Sequence, residues 1–144
     1  MDIKLLPAIA FGGSVLLLAA CLPGRPQPDQ PSDGAQLYDQ YCADCHGRDG
    51  KGKGPAAGGM HPPPADLTML TRRNGGEFPE VMVMAKIYGS TNGKPNSSPM
   101  PQFADLVEGP LVLVETEPGI MTPTPEPLVA LAEHVETLTR ASAR

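Results

Sequence analysis

Apolar positions recur every three or four residues in three stretches of the chain, and each stretch predicts a helix. Leu37, Tyr38 and Tyr41 share one face, with Ser32 or Asp33 in front as an N-cap, which places a helix from there to about Ala43. Val81 to Tyr88 form the second, opened by Pro79 at a first helical position and stopped by Gly89. Leu128, Leu131, Val135 and Leu138 make the apolar stripe of the third, capped by Thr124 with Pro125 in its first turn. Between the second and third helices the period changes. Leu-Val-Leu-Val-Glu-Thr from Leu111, then Glu-Pro-Gly, then Ile-Met-Thr, predicts a short β-hairpin within 111–123. The glycine-rich stretch 47–59 and residues 90–103 are expected to be loops. A different pattern opens the chain: Leu5 to Ala20 is apolar without a period and is interrupted by Pro7, Gly12 and Gly13. It is short for a membrane-spanning helix, which needs about 20 residues. It suits the apolar region of a secretory signal, with Lys4 in front, although Asp2 offsets that charge.

The apolar run ends Leu18-Ala19-Ala20-Cys21, which resembles a bacterial lipoprotein signal. That resemblance implies cleavage before Cys21 and lipidation of its thiol and amine; a plain signal peptide or an uncleaved anchor is the alternative. Several acyl chains on one residue hold a protein stably on a membrane, whereas a single chain does not. Leu22 to Ser32 carries four prolines and none of the apolar content a core requires. It reads as a semi-rigid tether with a reach of roughly 34 Å. The expected organisation is a signal at 1–20, a lipidated cysteine and tether at 21–32, and one folded domain at 33–144. The domain is expected on the periplasmic side of a bacterial membrane.

Composition narrows what the domain can be. The 144 residues include 18 prolines, 16 glycines, three tyrosines, three phenylalanines and no tryptophan, and Phe11 lies in the leader. So few aromatics are a poor basis for an all-protein core, so something other than side chains is expected to fill its middle. A formal net charge of −5 argues against nucleic-acid binding.

Tyr41-Cys42-Ala43-Asp44-Cys45-His46-Gly47 contains C-x-x-C-H, the signature for covalent haem attachment. Two thiols three positions apart on a helix reach the two vinyl groups of one porphyrin, and the adjacent imidazole meets the iron. A zinc site needs further ligands, and the only other cysteine is Cys21. A thioredoxin-like redox pair needs a β-α-β surround, whereas these flanks are rich in glycine and proline. Cysteine usage closes with Cys21 to lipid and Cys42 and Cys45 to one haem c.

At this point the chain resembles the class I c-type cytochromes, over most of Asp33–Thr139. The residues that carry the resemblance are Gly34 and Tyr38, the motif Cys42–Gly47, Gly50-Lys-Gly52-Lys-Gly54-Pro55, Pro64-Ala-Asp66-Leu67-Thr68, Ser98-Pro99-Met100-Pro101-Gln102-Phe103 and a final helix. The resemblance implies a mainly α fold of three to five helices around one covalently bound haem, here with the hairpin as an addition. It implies a methionine on a downstream loop as second axial ligand. Met100, stiffened by flanking prolines, matches that position, and His61 is the competitor, giving bis-histidine ligation. His-Met ligation raises the reduction potential. The family pattern also places a proline carbonyl on the far nitrogen of the haem histidine, and Pro55 is the match. Arg72 and Arg73 are candidates for haem propionates or are solvated surface. Tyr88, Ser97 and Ser98 are candidates for a hydrogen bond near the Met100 sulfur. The last helix crosses the first in the family, often through an aromatic, and His134 stands at the nearest position; as a haem ligand it is a poor third candidate.

Charge is unevenly spread. Residues 42–104 carry seven basic and five acidic side chains, whereas 105–144 carry two basic and seven acidic. The mildly basic haem-bearing part is expected either to dock an acidic redox partner or to be scattered solvated charge. The hairpin is either a partner-docking or haem-shielding insert or a decoration. The expected function is electron transfer between redox proteins by a membrane-anchored mono-haem carrier that is not an enzyme. The alternatives are the haem subunit of a periplasmic dehydrogenase or oxidase, and a haem-based gas sensor.

Overall fold

The computed structural model of the chain describes residues 33–91, 94–95 and 100–141. The signal segment 1–20, Cys21, the tether to Ser32, and Ser97 and Ser98 lie outside the described residues.

Helix α1 spans Gly34–Tyr41. Asp33 caps it, its carboxylate accepting from the Ala35 and Gln36 N–H groups at 2.9 and 3.3 Å, two donors a helix start otherwise leaves unpaired. The helix expected to continue to Ala43 breaks at Cys42 (φ −118°, ψ −36°) and restarts as the single turn α2, Ala43–His46. A loop tightened by a 3-10 turn at Pro55–Ala57 follows, then a second 3-10 turn at Leu67–Met69 running into α3, Leu70–Arg73. Helix α4 is Glu80–Tyr88, with Pro79 at its cap position and Gly89 (φ +86°) closing it in the left-handed region that glycine enters freely. Within the stretch expected to be loop, β1 (Ser90–Thr91) pairs antiparallel with β2 (Lys94–Pro95).

The hairpin is present and longer than its alternation suggests: β3 is Leu111–Glu117 and β4 is Ile120–Pro125, antiparallel, with a bulge between Glu115 and Glu117. This corrects the expected start of the last helix. Thr124 and Pro125 pair with Val112 and Leu111 in the ladder, so neither is a helix cap, and α5 runs Glu126–Ala141 with Pro127 in its first turn. The Thr124 hydroxyl donates back to the Thr122 carbonyl at 3.1 Å rather than accepting from a helical N–H. Among the described residues no helix is long and apolar enough to cross a membrane.

The core gathers on α5. Leu128, Leu131, Ala132 and Val135 are buried, and burying a leucine fully contributes about 1.5–3 kcal/mol. All four belong to one buried cluster with Tyr38 of α1, Met84 and Ile87 of α4 and Leu106. The α1–α5 crossing is close because Gly34 has no side chain: a Cβ there would collide with the Ala130 carbonyl. One turn along, the Tyr38 and His134 rings meet at a tilt of 46° with centroids 5.1 Å apart. His134 thus takes the crossing position, away from the cavity described next.

Candidate functional site

α2 is too short to stand alone and is built into the body by its backbone. Its turn closes when the His46 N–H donates to the Cys42 carbonyl at 2.8 Å, which puts Cys42, Cys45 and His46 at i, i+3 and i+4 on one face. Gly47 ends the turn at φ +76°, and its carbonyl accepts the buried Tyr38 hydroxyl at 2.7 Å. Burial, with the neighbouring Cys42, Asp49 and Asp39 adding to it, pushes the Tyr38 phenol above its ordinary range, so it remains a donor to that carbonyl.

The loop after the motif folds back under it. The Gly52 N–H donates to the His46 carbonyl at 2.7 Å and the Gly54 N–H to the Cys45 carbonyl at 3.0 Å. Gly52 approaches the 64–65 backbone so closely that a Cβ would strike the Pro64 carbonyl. The Leu67 N–H donates to the Gly50 carbonyl at 2.7 Å, stitching the two segments together.

That stitching orients the imidazole. His46 Nδ1 lies 3.0 Å from the Ala65 carbonyl oxygen. A carbonyl only accepts, so Nδ1 carries the proton and Nε2 keeps its lone pair. The acceptor is therefore Ala65 and not Pro55. Pro55 begins a 3-10 turn, is exposed, and does not line the cavity. The carbonyl of Ala65 reaches the ring because the glycine loop lets the 64–65 strand of backbone lie against the motif.

Cys42, Cys45 and His46 line a cavity of about 530 Å³, within the range of small-molecule and cofactor sites. Its walls are almost wholly apolar. They come from Tyr41, from Met60 and the prolines at 62–64, from Leu67 and Leu70, from one face of α4, from Met100, Pro101 and Phe103, and from Val135 of α5. The α4 contribution is Pro79, Met82, Val83, Lys86 and Ile87, a single helical stripe. Tyr41 and Phe103 brace this rim edge to face, centroids 5.3 Å apart, and the Tyr41 hydroxyl donates to Asp105 at 3.0 Å. Desolvation and that carboxylate together raise the Tyr41 phenol above its ordinary value. Both motif cysteines are free thiols. Burial and the adjacent Cys45 push the Cys42 thiol up to about 12, so before any covalent chemistry it is a neutral S–H.

The cavity sorts the remaining candidates. Met100 lines it together with His46, whereas His61 is exposed and does not. Arg72 and Arg73 are exposed and absent from the lining; Arg73 donates instead to the Asp66 carbonyl at 3.4 Å. Tyr88 is 55% exposed and also lies elsewhere. The basic side chain on the cavity wall is Lys86. Sequence reasoning passed over it, although it continues the stripe of Pro79, Met82 and Val83 by helical spacing. Met60 and Met82 were equally unassigned. Ala65 acts through its backbone, which carries no signal in residue type.

The donor set suits a haem. Two thiols at one edge can bond a porphyrin's vinyl groups, an imidazole offers a lone pair, a thioether shares the same cavity, and the walls are otherwise hydrocarbon. The cytochrome c family model matches residues 31–138. Among curated proteins and solved structures none matches the chain. With a family match that spans the whole described fold short of its last turn, the chain belongs to the cytochrome c family.

Proposed function

We propose that this chain is an electron carrier in which Cys42 and Cys45 would hold one haem c, His46 and Met100 would ligate its iron, and lipid on Cys21 ties the domain to the periplasmic face of a membrane. Family membership implies covalently bound haem c and electron transfer with redox protein partners. When bound, haem supplies a one-electron couple. The protein does the rest: it ligates, excludes water and presents an edge to partners.

One observation carries the assignment of the site. His46 is tied through Nδ1 to the Ala65 carbonyl, and the cavity it lines is shared with Cys42, Cys45 and Met100. A thioether is a weak ligand that favours ferrous over ferric iron, so Met100 would raise the potential of a bound haem. Pro101 beside it restricts the backbone and helps keep the sulfur in place.

The matured holoprotein tests this directly. The pigment should survive acid-acetone extraction, and the ferric form should show the far-red absorption of a thioether-ligated haem. Met100→Ala should abolish that band and lower the reduction potential by more than about 59 mV, the one-electron equivalent of a tenfold shift. An unchanged spectrum in Met100→Ala would remove Met100 from the iron. Ready binding of carbon monoxide by the native ferrous protein would favour a gas sensor instead.

A further inference from the structure

The β3–β4 hairpin presents its two faces in the opposite sense from an ordinary amphipathic ribbon. Strand alternation and register put Val112, Val114 and Thr116 on one face with Thr124 and Thr122. That face lies toward the body at Val114, which packs against the core, and at the buried Thr124, while Val112 is 37% exposed; the Thr116 and Thr122 hydroxyls hydrogen-bond at 2.7 Å. The other face carries Leu111 and Leu113, each 64% exposed, beside Met121 at 52% and the exposed Pro123. Leucines face outward and threonines inward, and a contiguous apolar patch left in the open marks an interaction surface.

The two edges of the hairpin differ as well. The Glu126 N–H donates to the Pro110 carbonyl at 2.8 Å. Hydrogen-bonded pairs recur every second residue in an antiparallel ladder. Thr124 and Thr122 therefore direct their N–H groups at β3, and positions 125, 123 and 121 direct theirs outward. Pro125 and Pro123 have no N–H, so the outer edge of β4 is sealed against a further strand. By the same alternation Leu111, Leu113 and Glu115 turn their N–H and C=O groups to the outer edge of β3, where no proline stands. Among the described residues no third strand pairs with that edge.

Charge selects the occupant. The hairpin, residues 111–125, carries two carboxylates (Glu115 and Glu117) and no lysine or arginine. A second copy of the chain would bring the same carboxylates, and an anionic lipid surface would repel them. We propose that the β3–β4 hairpin is a docking element for a partner protein, which adds to the β3 edge an extended segment that is apolar at alternate positions and flanked by lysine or arginine. This does not rest on the electron-carrier reading, and its test leaves the haem spectrum as an independent control.

The probe is a synthetic peptide of alternating lysine and valine, with a glutamate–valine peptide as its counterpart, titrated against the haem-loaded full chain. The lysine peptide should bind, slow amide exchange at Leu111, Leu113 and Glu115, and weaken by about tenfold or more between low and high salt. Leu113→Pro removes one outward N–H without touching the ladder and should abolish binding with the spectrum intact. Glu115→Lys combined with Glu117→Lys should transfer the preference to the glutamate peptide, which decides the matter even if the proline variant folds poorly. Equal binding of both peptides, or protection elsewhere in the chain, would overturn the proposal. Sedimentation of the chain alone as a dimer protected at β3, or the same protection by phosphatidylglycerol vesicles, would overturn it in favour of a second copy or a lipid surface.

Discussion

Two apolar surfaces are left uncovered by the described side chains, and they differ in what surrounds them. The cavity beside α2 is concave and meets two thiols and an imidazole whose far nitrogen is already engaged by Ala65. The outer face of the β3–β4 hairpin is exposed and meets a strand edge that no described strand pairs with, on a strand that carries Glu115 and Glu117. Hydrocarbon area alone does not tell them apart. The polar groups at the margin do: fixed ligand atoms call for a rigid prosthetic group, and unpaired backbone donors call for another chain.

The two also differ in what the fold loses without an occupant. The cavity is part of the core, since Tyr41, Leu67, Leu70, Val83, Met100 and Phe103 both line it and pack on the buried cluster. Cys42→Ala combined with Cys45→Ala should therefore have the largest effect. Haem should be lost on acid-acetone extraction and cooperative thermal unfolding should disappear, because a void of this size forfeits its packing contacts. A folded, cooperative double variant would show that the cavity is not a structural half of the protein.

A smaller loss is expected at the brace that joins both regions. Gly34→Val puts a Cβ on the Ala130 carbonyl, and overpacking at a tight crossing costs about 1–3 kcal/mol. Denaturant unfolding with an unchanged slope would measure it. Parting α5 from α1 disturbs the ground under the hairpin as well as the cavity, so both should loosen together.

The sharpest contrast comes from the same substitution in each place. Val83→Asp sets a carboxylate in the cavity wall and should cost several kcal/mol, about 3 or more. Leu113→Asp on the hairpin's outer face should stay within about 0.5 kcal/mol. Comparable losses in thermal scans would mean that the hairpin face is covered after all.

The smallest effect concerns pH. Burial, then the nearby carboxylates Glu133 and Glu136 on α5, raise the Glu80 pKa above its ordinary value. The fold therefore favours protonated Glu80, a contribution fully present below the unfolded pKa and lost as pH rises through the folded one. Glu80→Gln should be slightly more stable than the native chain at neutral pH. The difference should vanish as pH falls below the ordinary glutamate range, about 4.3. Added salt should shrink it further, because Glu80 is only partly buried. A difference that grows toward low pH would contradict the sign.

The helices were legible because their signals are local. Asp33 caps α1 through bonds to residues two and three positions on. Gly89 ends α4 because its own backbone needs a positive φ, and the Leu128, Leu131 and Val135 stripe of α5 is buried as its spacing demands. The hairpin was legible from alternation and from Pro118-Gly119 at its turn. Its end was not. Thr124 and Pro125 carry a helix-start signal of their own, and the ladder with Val112 and Leu111 overrides it. Lys86 and the two arginines show the same limit: residue type names a cation, but only the face of α4 decides which one reaches the cavity.

By itself the sequence determined the chemistry at hand: two thiols, an imidazole and a methionine between restricted backbones, with an acidic half following a mildly basic one. Tertiary structure alone decided that His46 is held by the carbonyl of Ala65 rather than of Pro55, and that the hairpin turns its leucines outward. The reason is one of range. Caps, turns and periodicities are settled among neighbours a few residues apart. A backbone carbonyl nineteen residues away, or the choice of which strand face meets the core, is settled only when the chain closes on itself.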